Sequence, residues 1–263
     1  MQLFSMGPWV FLLAYATAVA GSYTGLACMR RTREETGRSG GNWWLLMASL
    51  SIGGVGIWLM HFIGMMGFSV PGTVIRYQLV PTALSVLVAV ATTMFGIWFV
   101  TAHSTVLARL PRGVRPGIGG TIVGLAVCLM HYIGMSAVRV QGTIHHKLEL
   151  VVVSAVIGLV GSTVALALAR AAERFVVRLL SAFVMAAAVV GLHYTGMAGI
   201  HVVIDPGAPD PRGIAVLSLL FPAFILGIIV LAAPITALVL APESDEYRQD
   251  ELLDPPTDAA IRT

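Results

Sequence analysis

Three histidines in this chain sit in matching surroundings: Met60-His61-Phe62-Ile63-Gly64-Met65, Met130-His131-Tyr132-Ile133-Gly134-Met135 and Leu192-His193-Tyr194-Thr195-Gly196-Met197. Each histidine precedes a methionine by four residues, a spacing that stacks both side chains on one face of a helix. If the three faces turn inward, up to three imidazoles and three thioethers share one enclosed space. Imidazole with thioether is a donor set for copper. Magnesium, calcium and manganese want oxygen, and zinc gains little from methionine. His61, His131 and His193 are therefore the candidate metal ligands. Met65, Met135 and Met197 are candidates beside them, with flexible gap-filling in an irregular core as the alternative. Gly64, Gly134 and Gly196 lack side chains and leave room for ligands or for a neighbouring helix.

The elements that must position these residues are membrane helices. The chain has 263 residues, 57% of them hydrophobic and 11% charged, with a mean hydropathy of +0.87. Globular chains carry about 25% charged residues. Seven uncharged apolar stretches are long enough to span a bilayer, near residues 8–29, 43–66, 79–100, 118–138, 150–169, 179–200 and 214–240. A β-barrel would need short alternating segments instead. The first stretch has no basic lead-in and no small-residue cleavage site, and Arg30, Arg31 and Arg33 follow it directly, so it reads as a retained span. The fold class expected is an all-α polytopic membrane protein, residues 1–240. Residues 241–263 form a short acidic tail, rich in proline, that is expected to be disordered.

Basic residues set the orientation. Loops after spans one, three and five hold ten arginines, whereas those after spans two, four and six hold only Arg76, Arg139, Lys147 and Arg212. The positive-inside rule places the N-terminus outside and the C-terminus in the cytoplasm. The sequence pI near 9.1 follows from this bias and does not argue for nucleic acid. Cys28 and Cys128 lie inside spans, which excludes a disulfide framework.

The histidines are 70 and then 62 residues apart, a period of two helices and two loops. The repeat unit is then a helical hairpin, present three times, with one extra N-terminal helix. Spans two, four and six carry the motifs in the same direction, each near the outer end of its helix. A lone buried histidine usually bonds a carbonyl. Three in register inside a bilayer, where ionisable groups are costly, point to function. Gly53 and Gly56, Gly120 and Gly124, and Gly158 and Gly161 would allow close helix approach.

Other residues carry weaker signals. Cys128 shares a face with His131, but Trp58 and Val190 occupy the equivalent positions, which suits a packing role. His145, His146 and His201 fall in or near outer loops and could pass an ion inward, with plain loop residues as the alternative. Tyr132 and Tyr194 could bond a ligand or a bound diatomic, with ordinary interfacial tyrosines as the alternative. The spans hold no carboxylate to relay protons or to pair with a moving cation, which counts against a proton-coupled transporter. No Cys-x-x-Cys, serine triad or phosphate loop is visible.

Together the three runs resemble the signature of the MHYT family of bacterial integral membrane sensor domains, named for a Met-His-Tyr-Thr run. The resemblance covers roughly residues 8 to 240. Phe62 departs from it in the first run, Ile63 and Ile133 in the first two, and Leu192 in the third, while the histidine and the closing Gly-Met pair match in all three. It implies copper held best by His61, His131 and His193, and next by Met65, Met135 and Met197. It further implies a plasma-membrane sensor of oxygen, carbon monoxide, nitric oxide or redox state, not an enzyme. Signals would pass to a separate cytoplasmic partner, of the diguanylate-cyclase or phosphodiesterase kind, or through a homo-oligomer. Copper acquisition or transport, and a small membrane metalloenzyme, are the competing expectations.

Overall fold

The computed structural model describes residues 2–35, 39–101, 114–171 and 175–240. The expected acidic tail lies outside them. Among the described residues, seven helices are long and apolar enough to cross a membrane: Trp9–Glu34, Gly40–Met66, Leu79–Thr101, Val114–Ser136, Leu148–Leu168, Phe175–Ala198 and Val216–Leu240. These match the seven expected spans to within a few residues at most ends. We label α1 (Trp9–Glu34), α2 (Ser39–Ser49), α3 (Met60–Met66), α4 (Leu79–Thr101), α5 (Val114–Ser136), α6 (Leu148–Ala171), α7 (Phe175–Ala198) and α8 (Val216–Leu240).

The second span is not uniform. Between α2 and α3, Leu50–Leu59 winds as a π-helix. Such segments are rare and tend to lie at functional sites; this one ends at Leu59, two residues before His61, the first motif histidine.

Spans one to six close into a ring in chain order, with α1 packing on both α7 and the π-helical stretch. Motif helices alternate with supporting ones around it. The sequence period sets the first helix apart from the hairpins, but in space α1 fills the supporting place between spans six and two. The helix outside the ring is α8, which packs on the second span and α1 and is buried over only 11% of its apolar window.

Close helix contact holds the ring together. Lipid is as apolar as leucine, so association depends on packing and on residues small enough to permit it. A Cβ on Gly124 would stand 2.7 Å from Leu159 Cα, and one on Gly53 would stand 2.6 Å from Ala89 O. Gly21 meets the backbone of Gly56 and Ser51 in the same way. Several buried hydroxyls return to carbonyls of their own helix, as Ser181 Oγ does to Val177 O at 2.7 Å. Cys128 Sγ faces Ala155 O at 3.9 Å and the glycine surface at Gly158. It serves helix packing.

The loops that follow the three motifs pair with one another. β1 (Arg76–Tyr77) runs antiparallel to β2 (Val138–Arg139), and β3 (Gly142–His146) to β4 (Ile200–Ile204). Tyr77 and Ile214 exchange backbone hydrogen bonds of 2.9 Å each. Each motif loop is thereby tied to both others, and the three form a cap over one end of the ring.

Candidate metal centre

Each motif histidine stands five residues before the end of its helix, in α3, α5 and α7. Equal distance from the end, in helices running the same way, puts the three rings at one level. They meet there. His61 Nδ1 lies 3.0 Å from His193 Nδ1 and 3.3 Å from His131 Nδ1. One ring nitrogen from each of the three residues lies within 4.8 Å of the others. All three rings are buried, at 1% exposure or less. The rings stand nearly perpendicular to one another, with centroids 5.0 Å apart for His61–His131, 4.9 Å for His61–His193 and 5.4 Å for His131–His193.

The glycines of the motifs explain how the rings fit, and they do so in a cycle. His193 packs its Nε2 edge on Gly64, His61 packs on Gly134, and His131 packs on Gly196. Each imidazole therefore rests on the glycine of a different repeat. A Cβ would lie 2.7 Å from the ring nitrogen at Gly134 and 2.6 Å at Gly196, and closer still at Gly64. No side chain but hydrogen fits at these positions.

Hydrogen bonding alone does not satisfy this cluster. Each Nδ1 carries either one proton or one in-plane lone pair, so His61 Nδ1 cannot make two good bonds with its two short contacts. The three Nε2 atoms have no hydrogen-bond partner either. A buried polar atom left unpaired costs about 1–3 kcal/mol. A cation between the Nδ1 atoms would use all three lone pairs at once. Ligands about 2.0 Å from a shared ion stand roughly 3.3–3.5 Å apart in tetrahedral or trigonal geometry, near the two Nδ1 spacings from His61 of 3.0 and 3.3 Å. The donor set fits a single small ion, although the Nε2–H groups lack the acceptors that usually orient metal-bound histidine.

The three motif methionines lie one turn beyond their histidines and are buried, Met65 in α3, Met135 in α5 and Met197 in α7. The aromatic residue after each histidine forms an outer layer. Trp58 and the buried Tyr77 pack on Phe62, at 4.9 and 5.9 Å between centroids. Tyr132 shares a hydrogen bond of 2.9 Å with Ser154 Oγ and meets the ring of His146 at 5.8 Å. Tyr194 stacks on Phe4 at 5.4 Å. Tyr77, Ser154 and Phe4 escape a reading of the sequence, since each reaches the site from outside the motifs. His145 and His201 are exposed and opposed across β3 and β4.

Comparison with known proteins agrees with this architecture. Residues 54–112 and 124–182 match the MHYT family, described as a bacterial signalling protein N-terminal repeat. Among curated proteins, the bifunctional diguanylate cyclase/cyclic di-GMP phosphodiesterase MucR of Pseudomonas aeruginosa is 37% identical over 194 residues, covering 71% of this chain and 27% of the relative. An uncharacterized signaling protein of Caulobacter vibrioides is 33% identical over 202 residues, 76% of this chain and 24% of its own length. The cyclic di-GMP phosphodiesterase NbdA of Pseudomonas aeruginosa is 29% identical over 216 residues, 80% of this chain and 26% of its own. The chain thus spans about a quarter of the length of these relatives. No solved structure gives a significant match. The matched ranges hold His61 and His131, while His193 falls beyond them. The fold brings that third histidine into one ring with the other two, and the chain belongs to the MHYT family of bacterial signalling proteins, as a multi-pass protein of the cell membrane.

Proposed function

We propose that His61, His131 and His193 hold one copper ion through their Nδ1 atoms, and that this ion is the sensing element of a membrane signalling module. The convergence of three buried Nδ1 atoms at 3.0 and 3.3 Å carries the reading. Met65, Met135 and Met197 supply thioethers one turn away, a preference for copper over zinc or a hard cation. Bound copper would supply a centre that changes oxidation state or accepts a diatomic such as oxygen, carbon monoxide or nitric oxide.

The protein's own part is to position and to transmit. The Gly64, Gly134 and Gly196 surfaces fix the ring orientations, and the cap and the outer aromatic layer keep bulk water from the imidazoles. The charge balance of the loops supports an outward-facing motif end. Because the three ligands come from three different helices, a change at the ion alters how spans two, four and six pack together. Signalling requires two such packings whose balance the ion or its ligand biases. Relatives named as diguanylate cyclases and cyclic di-GMP phosphodiesterases support an output on cyclic di-GMP turnover. The catalytic domain could belong to the same polypeptide, to a separate partner or to an oligomer.

Metal analysis of detergent-purified protein tests the site. Wild type is expected to carry about one copper per chain, and the variant with all three histidines replaced by alanine is expected to fold without it. Full copper loading in the triple variant would overturn the assignment.

A further inference from the structure

The three sides of the triad are not equally closed. On the first side, Phe62 is buried under Tyr77 and Trp58. On the third, Tyr194 lies under Phe4 and Phe11, each at 5.4 Å between centroids. The second side opens. There a cleft of about 610 Å³ reaches in from the cap, with Tyr132, Met135, Ser136, Arg139 and His146 among its lining residues. Tyr132 and Met135 are one residue and one helical turn beyond His131, so the floor of the cleft is the flank of the triad's own helix.

The cleft walls carry soft and borderline donors in sequence. His146 is exposed near the mouth, and Met135, buried, sits at the base. Partial desolvation at the cleft wall, and then the neighbouring His145, hold the pKa of His146 below the ordinary histidine value. Arg139 also lines the cleft, its guanidinium donating to Ser136 O at 2.9 Å, Val138 O at 3.1 Å and Gln78 Oε1 at 2.6 Å. All three acceptors are neutral, so its charge remains. It repels a divalent ion twice as strongly as a monovalent one.

We infer that this cleft is the port through which a monovalent soft metal ion reaches the triad, with His146 and Met135 as successive ligands on the way. The inference rests on the proposed metal role of the triad. It gives the second repeat a function its two counterparts lack, and it runs the loading path along the helix that carries His131 and Met135 to the final site.

Two measurements test it on the full chain in detergent. The first follows uptake of silver(I), as a redox-silent stand-in for copper(I), by metal-free protein. His146→Ala is expected to slow loading by about an order of magnitude at unchanged final stoichiometry. Ser136→Cys carrying a bulky thiol adduct is expected to block loading, while the unmodified variant loads normally. The second needs no metal: Met135→Cys should react with a water-soluble thiol reagent much faster than Met65→Cys or Met197→Cys, against the baseline of buried Cys28 and Cys128. Uptake at the wild-type rate in the His146 and adduct-bearing proteins, or equal reactivity of the three cysteines, overturns the port and leaves the triad standing. Failure of wild type to take up any metal overturns both.

Discussion

Gly134→Ala is expected to destabilise the wild-type protein and to be tolerated once His61 is alanine. The added methyl group would stand 2.7 Å from His61 Nε2, and the imidazole has nowhere to retreat because its other edge faces the remaining two rings. Overpacking of this kind costs typically about 1–3 kcal/mol. Removing the His61 ring removes the clash, so the two substitutions should show a coupling of about 0.5–3 kcal/mol in a double-mutant cycle. The same relation should join Gly196 to His131 and Gly64 to His193. It should not join Gly64 to His61, although those residues share a motif and lie one turn apart. Thermal unfolding of the purified variants reads the coupling. Equal coupling within and between motifs would contradict the cyclic arrangement of the rings.

A larger loss is expected from Gly21→Val. Its side chain would be driven into the backbone of Gly56 and Ser51, and backbone cannot rotate away as a side chain can. The α1 helix would have to separate from the π-helical stretch, which opens the ring where the first span closes it. The cost should reach or exceed the upper end of the overpacking range, about 3 kcal/mol, and little folded protein should be recovered. Gly117→Ala is the control, since a Cβ there meets nothing within 4 Å, and it should melt as wild type does. Recovery of Gly21→Val at wild-type yield and melting temperature would contradict the packing described.

Much of this was legible from residue types alone. Span positions follow from the absence of charge over stretches long enough to cross a bilayer, and the level of the three histidines follows from their equal distance to the helix ends. What the period does not determine is which neighbour each ring meets. Gly64, Gly134 and Gly196 advertise space, but whether that space serves a histidine of the same motif or of the next depends on the handedness of the ring. Helix order carries a similar ambiguity: the repeat pairs span six with span seven, whereas α1 takes the place beside it. The longest sequence differences between repeats lie in the loops, and there β1 to β4 form from two to five residues each, too short for alternation to be read. The π-helical stretch Leu50–Leu59, with Gly53, Gly54 and Gly56 in it, has no periodic signature, since its apolar residues face protein on nearly every side.

X-ray absorption at the copper edge, on protein loaded to one equivalent, reads the ligands of the bound ion. The expected spectrum shows three nitrogen scatterers at about 2.0 Å, with sulfur added if the motif methionines join the imidazoles. A copper shell without histidine nitrogen, or one unchanged when His61, His131 and His193 are all replaced, would contradict a three-histidine centre.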